Sequence, residues 1–241
     1  MLRRMSEIRA LTFDVFGTVV DWRSSVIRHC EAFGREHRLA ADWGAFVDDW
    51  RYDGYMGGIG RVIRGEAPFT TADNLHRAKL GALAAAAGWK GVSEIDLDAL
   101  NHAWHLLDPW PDAVAGLERL RSRFVVSTLS NGNLSLLVDM ARHAGLHWDA
   151  VLSADVTGAF KPDPLCYQAG ARFLGLQPDQ VMMVAAHKGD LKAAQKAGLK
   201  AAFVPRPLEA GPNRDVDLSP DPAFQYMASD FHALADQLGC P

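Results

Sequence analysis

The sequence is most informative at residues 8–18, which read IRALTFDVFGT. This short apolar run ends at Asp14 and is soon followed by a glycine, as is typical of a buried strand that leads into a tight loop. Similar runs recur between helical patterns at residues 124–128, 151–152, 181–185 and 201–204. Strands that are apolar along their whole length are buried on both faces. The pattern therefore predicts an α/β fold with a doubly wound, Rossmann-like parallel sheet covered by helices.

A helical segment of different character separates the first two runs. Residues 21–108 carry Ala-rich and Trp-bearing helical patterns, and the segment ends at Asp-Pro-Trp-Pro, residues 108–111. Each proline restricts its own backbone and that of the preceding residue, so this stretch makes a rigid boundary. We therefore expect an α/β core of residues 1–20 and 109–241, with a helical cap of residues 21–108 inserted after the first strand.

Two further stretches are predicted to be loops. The glycine-rich residues 57–60 follow no strand and do not fit the dinucleotide-binding fingerprint, so we expect a flexible loop of the cap. Residues 205–222 are rich in Pro, Asp and Asn, which favours a long surface loop.

Composition excludes several classes of protein. The 241 residues are 49% apolar and 22% charged, which is typical of a soluble globular chain. The net charge of −4 gives no electrostatic footprint for nucleic acid, and no apolar run approaches the roughly 20 residues of a membrane span. We therefore expect neither nucleic acid nor membrane as a partner.

The first residues and the cysteines both indicate a cytoplasmic protein. Residues 1–5 contain two arginines but lead straight into a strand pattern, with no separate apolar segment or cleavage site. The three cysteines are odd in number and widely separated, which favours reduced thiols over a disulfide framework; they are Cys30, Cys166 and Cys240.

Polar side chains follow four of the predicted strands. They are, in chain order, Asp14, Ser130, Asn131, Lys161, His187 and Asp190. Ligands of doubly wound sheets bind at the carboxyl ends of the strands, so we expect these side chains to converge on one site. A carboxylate such as Asp14 can act there as a covalent nucleophile, although an isolated aspartate more often caps a turn or a helix.

Four stretches together resemble the haloacid dehalogenase superfamily, and within it the L-2-haloacid dehalogenase (type II) branch. They are FDVFGT at 13–18, LSNGN at 129–133, FKPD at 160–163 with Tyr167 after it, and Asp190 beyond the next strand. Their order and strand context, and the place of the cap, agree with that family over essentially the whole chain. The resemblance implies a hydrolase of carbon-halide bonds that converts small 2-haloalkanoic acids, including haloacetates, to 2-hydroxy acids through an ester on Asp14.

The resemblance also implies how the substrate is bound. Ser130 and the backbone amides of Val15 and Phe16 would bind the substrate carboxylate, and Asn131 would lie near the leaving halide. The family uses an arginine after a tryptophan of the cap to bind the halide, and Arg51 matches it better than its neighbours at 61 and 64. The implied partners are a small haloacid and its halide, and the family is often dimeric, which makes a homodimer one further candidate.

The catalytic set implied by the resemblance extends beyond the nucleophile. Lys161 would orient Asp14, and Asp190 would pair with Lys161 and activate water. Tyr167 matches a tyrosine of the family's site, although a packing role is nearly as good an interpretation. Thr18 is a candidate both for catalysis and for a simple helix N-cap.

Phe16 argues against metal-dependent chemistry. Phosphatases of the superfamily carry a second aspartate there, which helps hold magnesium and protonates the leaving alkoxide, whereas a halide needs no proton to leave. A phosphate dianion also needs a metal to offset its repulsion from a carboxylate, about 4 kcal/mol per charge pair at about 4 Å and an effective dielectric constant of about 20. Residues 185–190, AAHKGD, offer one carboxylate rather than an adjacent acidic pair. We therefore expect no metal and no cofactor.

The fourth motif departs from the family pattern. Where related enzymes carry a serine and an asparagine, this chain has Ala185 and His187. His187 can position or activate the hydrolytic water, since imidazole titrates near neutral pH, or it can be a bonded structural histidine. His102 and His105 have a spacing that suits one helix face but lack a third ligand of clear type, so we interpret them as ordinary histidines.

Two other functions fit parts of the sequence. The shared fold and Asp14 also suit a magnesium-dependent phosphatase of the same superfamily. Ala185, found where a hydroxyl is expected, suits a non-catalytic binder of small carboxylates. The aromatic cap, with Trp43, Trp50 and Tyr55, is compatible with a tight pocket for haloacetates, including fluoroacetate.

Overall fold

The computed structural model describes residues 7–212, 214 and 216–241. Residues 1–6, on which the expected cytoplasmic location depends, lie outside the described residues. The described chain forms a five-stranded parallel sheet with strand order β2-β1-β3-β4-β5. The strands are β1 (Ala10–Phe13), β2 (Val125–Thr128), β3 (Val181–Ala185), β4 (Lys200–Phe203) and β5 (Tyr226–Met227). This arrangement confirms the predicted α/β fold.

The two central strands, β1 and β3, are buried at every position, as their continuous apolar sequences predict. Ala10 of β1 lies in register with Val125 on one side and with Val181 on the other. The chain order of the strands reverses between β1 and β3, and ligands of such sheets bind at this switch point. Asp14 and the residues that follow β3 therefore flank the expected ligand crevice.

The regular structure between β1 and β2 is entirely helical. It comprises α1 (Trp22–His37), α2 (Trp43–Asp49), a π-helix (Trp50–Met56), α3 (Gly57–Ile63), α4 (Ala72–Ala86), α5 (Glu94–Asn101) and a 3-10 helix (His102–His105). Polar side chains begin these helices: Asp21 caps α1, and Ser93 forms a capping box with Asp96 at α5. Trp50 and Trp104 are fully buried in the interior of this helical group, with ring centroids 5.5 Å apart.

The glycines at 57–60 lie in α3, so the prediction of a flexible loop is wrong. Glycine instead allows close packing of α4 against this region. A Cβ atom on Gly58 would lie 2.6 Å from Leu75, and one on Gly54 would lie 2.4 Å from Lys79. The small residues therefore reflect helix–helix contact rather than flexibility.

Two connections join the helical group to the sheet, and they run side by side. An antiparallel bridge joins Val20 to Pro109, and backbone hydrogen bonds of 2.9 and 3.0 Å link the same two stretches. We refer to these connections, residues 18–21 and 108–110, as the paired linkers.

One further helix precedes β2, and the others follow the remaining strands. They are α6 (Ala113–Arg121), α7 (Leu134–Ala144), α8 (Ala154–Thr157), α9 (Pro164–Phe173), α10 (Lys188–Lys196) and α11 (Phe231–Gln237), with a 3-10 helix at Pro178–Gln180. The strand predicted at residues 151–152 is wrong, because this stretch meets the sheet only near isolated bridges. The Thr128 hydroxyl bonds both the amide and the carbonyl of Leu152, at 2.8 and 2.9 Å, and so takes the place of a strand ladder. The two-residue β5 is too short for the sequence pattern to predict.

The three cysteines are free and buried, which confirms the prediction of reduced thiols. Within the part of the chain that the structure describes, no helix has both the length and the apolar character needed to cross a membrane.

The described part of residues 205–222 contains no helix or strand, but it is not confined to the surface. Arg206 is buried, donates to the carbonyl of Thr18 at 2.9 Å, and forms a two-pronged ion pair with Asp112 at 2.7 and 2.9 Å. This arginine anchors the loop beneath the first paired linker. Two positions of the loop, residues 213 and 215, lie outside the described residues.

Candidate active site

A cavity of about 470 Å³ opens at the carboxyl ends of β1 and β3. Its wall combines residues that follow the strands with residues of the π-helix and of the 205–222 loop. These include Asp14, Phe16, Trp22, Arg51, Tyr55, Asn131, Lys161, Tyr167, His187, Asp190 and Glu209. Most of the residues predicted from the sequence therefore meet in one place.

The carboxylate of Asp14 contacts three polar side chains. Lys161 Nζ donates to Oδ1 at 3.0 Å, Thr18 Oγ1 donates to Oδ2 at 2.8 Å, and His187 Nδ1 lies 3.0 Å from Oδ2. Burial alone would raise the pKa of Asp14, but the positive charges of Lys161 and His187 outweigh it and hold that pKa well below its ordinary value. Asp14 is therefore ionised, as a carboxylate nucleophile must be.

Lys161 lies between two carboxylates. Its Nζ atom is 3.0 Å from Asp14 and 2.5 Å from Asp190, whose other oxygen accepts a hydrogen bond of 2.6 Å from the Tyr167 hydroxyl. Burial alone would lower the pKa of Lys161, but the two carboxylates raise it above its ordinary value. Asn131 fixes the lysine backbone, accepting from its amide at 2.7 Å and donating to its carbonyl at 3.1 Å. A charged ammonium thus occupies the space between Asp14 and Asp190.

Arg51 of the π-helix lies in the cavity wall, where three aromatic rings surround its guanidinium. We call this side chain the caged Arg51. Its side chain is buried, and its Nη1 atom has no hydrogen-bond partner among the described residues. Its guanidinium carbon lies 5.0 Å from the ring centroid of Phe16, 5.2 Å from that of Trp22 and 4.8 Å from that of Tyr55. A buried cation without a partner favours an anionic ligand, and π-helices often occur at functional sites. The competing arginines at 61 and 64 are exposed.

Phe16 belongs to the same aromatic wall. It is buried, and its ring centroid lies 5.7 Å from that of Tyr55 and 6.3 Å from that of Trp104. Two residues after Asp14, the chain therefore presents an apolar surface where a phosphatase of this superfamily would present a second carboxylate.

His187 lies between two acids, and the sequence analysis identified only one of them. Nδ1 faces Asp14 at 3.0 Å, while Nε2 lies 2.9 Å from both carboxylate oxygens of Glu209. Burial alone would lower the pKa of His187, but the hydrogen bonds and charges of the two acids raise it to about 10. His187 is therefore an imidazolium while Asp14 is a free carboxylate.

Glu209 is held firmly in the loop that follows β4. Its Oε1 atom accepts a hydrogen bond of 3.1 Å from the indole of Trp22. It also lies over Gly17, where a Cβ atom would come within 2.0 Å of Oε1. Gly17 has a φ of 83°, so a glycine is required there both by the backbone and by the approach of Glu209.

Three predicted site residues lie behind the cavity wall. Thr18 is not a helix cap, because its hydroxyl donates to Asp14 and accepts from the amide of Ala186 at 2.9 Å. Val15 is a buried apolar residue. Ser130 is buried, and its hydroxyl accepts from the amide of Gly132 at 3.2 Å.

Glu209 carried a signal that the sequence analysis did not use. The candidate residues named from the sequence follow four predicted strands, and the run at 201–204, which is β4, is not one of the four. β4 lies next to β3, so its carboxyl end opens on the same crevice. Applying the same rule to this strand would have indicated the acid at 209.

Comparison with known proteins agrees with the fold. The model of the haloacid dehalogenase-like hydrolase family matches residues 8–198. The (S)-2-haloacid dehalogenase 4A of Burkholderia cepacia is 29% identical, over 84% of this chain and 85% of that protein.

Two crystal structures are similar over nearly their whole length. The L-2-haloacid dehalogenase PA0810 is 45% identical with a TM-score of 0.92, covering 96% of this chain and 99% of that one. The defluorinating L-2-haloacid dehalogenase Rha0230 is 42% identical with a TM-score of 0.93, covering 97% and 96%. The chain therefore belongs to the haloacid dehalogenase-like hydrolase family.

Proposed function

We propose that this protein hydrolyses small 2-haloalkanoic acids to 2-hydroxy acids and halide, by way of an ester on Asp14. The observation that carries this proposal is the caged Arg51, a buried cation that forms no ion pair with any of the described residues and lies in the same cavity as an ionised aspartate. The dehalogenase names of the similar proteins support the same reaction.

The first step is a displacement at the carbon that bears the halogen. An oxygen of Asp14 attacks that carbon and inverts it, and the halide leaves with the bonding electrons. Arg51 and Asn131 stabilise the departing halide. Because a halide leaves without a proton, this step needs no general acid, which agrees with the apolar Phe16.

The substrate carboxylate needs its own binding groups. The amides of Val15 and Phe16 lie directly after Asp14, and Ser130 follows the neighbouring strand β2, so these groups are our candidates for that role. Ser130 lies behind the cavity wall, and its contact with substrate stays a prediction.

The second step frees the product. Water attacks the carbonyl carbon of the Asp14 ester, and Lys161, 3.0 Å from the carboxylate, stabilises the oxyanion that forms. Asp190 and Tyr167 hold the lysine in place. The 2-hydroxy acid then leaves and the carboxylate is restored.

The proposed reaction is independent of metal ions. The Lys161 ammonium lies between Asp14 and Asp190, in the space that a cation bridging these two carboxylates would have to take. A positive charge is therefore built into the chain at this point, and Phe16 adds no further ligand.

The helices of residues 21–108 are our candidate for a cap over this site, since they contribute Arg51 and the aromatic wall. A homodimer and a cytoplasmic location stay predictions from the sequence.

A screen of halide release tests this proposal. Chloro-, bromo- and fluoro-substituted acids of both hands are supplied with and without a metal chelator, and we expect release from (S)-2-haloacids or haloacetates that chelation does not change. Hydrolysis of an aryl phosphate only in the presence of magnesium would identify a phosphatase instead. Tight binding of a 2-hydroxy acid without halide release from any acid would identify a binder.

The covalent step has a separate test. Single-turnover reaction in heavy-oxygen water is expected to place the label in Asp14, because water attacks the ester at the aspartate carbon. Label in the product with none in the enzyme would contradict the ester.

A further inference from the structure

We propose that His187 and Glu209 form a charge-switched base for the second step. Glu209 positions the imidazole, and His187 becomes able to take a proton from water only once Asp14 has been converted to an ester. This inference rests on the proposed function and names the side chains that activate water in its second step.

The imidazole of His187 lies between the carboxylates of Asp14 and Glu209. Asp14 Oδ2 lies 3.0 Å from His187 Nδ1, and both oxygens of Glu209 lie 2.9 Å from Nε2. Each nitrogen therefore faces one acid. The imidazole also lines the cavity, and a water that takes the place of the contact between Nδ1 and Asp14 would lie beside the carboxyl carbon of Asp14.

Before substrate reacts, both acids are charged and His187 holds a proton on each nitrogen. In this state it cannot accept a proton, and it acts as a hydrogen-bond donor that orients the nucleophile. In the free enzyme His187 is therefore not an active base.

Ester formation removes one of the two charges that keep His187 protonated. An ester oxygen is neutral and a weaker acceptor than a carboxylate, so the pKa of His187 falls in the ester and the imidazolium releases its Nδ1 proton to solvent as the pH rises through that lowered pKa. Glu209 still accepts from Nε2 and fixes the tautomer whose Nδ1 lone pair faces the water. The switch is therefore operated by the first chemical step itself.

The proton transfers of the second step restore the protonation states of the free enzyme. Water gives one proton to Nδ1 while its oxygen bonds to the ester carbon. The bond from that carbon to the alkoxy oxygen then breaks, and the second proton of the water ends on the hydroxyl of the product. Asp14 is again a carboxylate and His187 is again an imidazolium, and the proton released earlier accompanies the halide.

Fixed contacts suit Glu209 to this positioning role. The indole of Trp22 donates to it at 3.1 Å, Gly17 leaves room for it, and its loop is anchored by Arg206. Its side chain is only 13% exposed. Ala185, at the family's serine position, carries no hydroxyl to hold the water in another way.

The test separates the two chemical steps in wild type and in Glu209→Gln. Rapid mixing with chloroacetate or (S)-2-chloropropionate measures the halide burst, and intact-protein mass spectrometry measures the ester. We expect Glu209→Gln to keep a burst close to one halide per active site, to accumulate the ester, and to turn over about 10²-fold more slowly than wild type. Glu118→Gln is the matched control, because it breaks an exposed Glu–His pair with His147, and we expect no change.

The pH dependence of kcat adds a readout that a purely structural role would not move. Hydrolysis requires neutral His187, so kcat rises with pH through the pKa of His187 in the ester. Removing the charge of Glu209 lowers that pKa. The rise of kcat with pH is therefore expected at lower pH in Glu209→Gln than in wild type, and the maximum kcat is expected to be lower. Glu209→Asp is expected to restore the wild-type pH dependence in part.

The outcomes distinguish this inference from the proposed function. Absence of any halide release by wild type would overturn the proposed function. Halide release by wild type, with an unchanged turnover rate and pH profile in Glu209→Gln, would overturn only the charge-switched base. Loss of the burst itself in Glu209→Gln would place the acid in the first step and would equally overturn it.

Discussion

Two histidines of this protein are each held between two acids, yet they are suited to different tasks. His187 lies 3.0 Å from Asp14 and 2.9 Å from Glu209. His105 lies 3.0 Å from Asp73 and 2.8 Å from Asp139. The spacing is nearly the same, but one acid beside His187 faces the cavity and can be esterified, whereas neither acid beside His105 lines the cavity.

The His105 cluster joins two parts of the chain. Asp73 belongs to α4, in the helical group before β2, while Asp139 belongs to α7, after β2. Asn133 adds a two-way contact with Asp73, donating to its carboxylate at 2.8 Å and accepting from its amide at 3.2 Å. We call these four residues the clasp. The comparison teaches that a histidine held between two acids can take part in catalysis only where the reaction can remove the charge of one of those acids.

The largest expected effect comes from Asp14→Asn, which removes the nucleophile and places a neutral group beside His187. Halide release should fall by at least about 10⁴-fold. The pKa of His187, followed by NMR titration of its ring protons, should fall from its raised value because one of its two acids has gone. The ring of His105 is the internal control and should titrate as in wild type. A His187 pKa that does not move would show that Asp14 does not control its protonation.

Arg51→Gln should act on the first step and leave the second unchanged. Without the caged cation the leaving halide loses its partner, and we expect the rate of the burst to fall by about 10² to 10³-fold, with no accumulation of ester. This result is the opposite of that expected for Glu209→Gln. Arg61→Gln, at an exposed position nearby, is the control. Accumulation of ester in Arg51→Gln would assign the arginine to hydrolysis instead.

The smallest expected effect is that of His105→Gln, which should lower stability by about 2 kcal/mol and leave kcat near its wild-type value. Burial alone would lower the pKa of His105, but its two acids raise it. The stabilisation is therefore fully present below the ordinary histidine pKa near 6.5 and is lost as pH rises through the raised pKa of the folded protein. Urea unfolding across pH should thus show a larger deficit for the variant at about pH 6 than at about pH 9. If the variant is less stable than wild type by the same free energy of unfolding at every pH in this range, the charge of His105 is not the source of the stability that the clasp provides.

The strand-end residues were predictable because parallel strands bring their carboxyl ends to one edge. Asp14, His187 and Asp190 could be grouped from short apolar runs alone, since burial on both faces leaves a clear pattern. Lys161 was grouped with them from a predicted strand at residues 151–152 that the structure does not contain, so its place rested on the resemblance. The strand-end rule applied to β4 also indicates Glu209, but the Pro-rich loop gives no periodicity from which to infer that this side chain turns inward.

The clasp shows a different limit. Sequence analysis found no third ligand-type residue for the His102 and His105 pair, yet the fold brings Asp139 beside it. Contacts between segments that are distant along the chain depend on how helices pack against one another, which local patterns do not encode. The π-helix that presents Arg51 was unpredictable for the same reason.

The hydrogen bond between Trp22 and Glu209 joins two parts of the chain. Trp22 is the first residue of α1, just beyond a paired linker, whereas Glu209 belongs to the loop after β4. The acid that contacts His187 is thus held by the first residue of the helical group. A substitution that displaces the start of α1 is therefore expected to reach the proposed hydrolysis step through the position of Glu209.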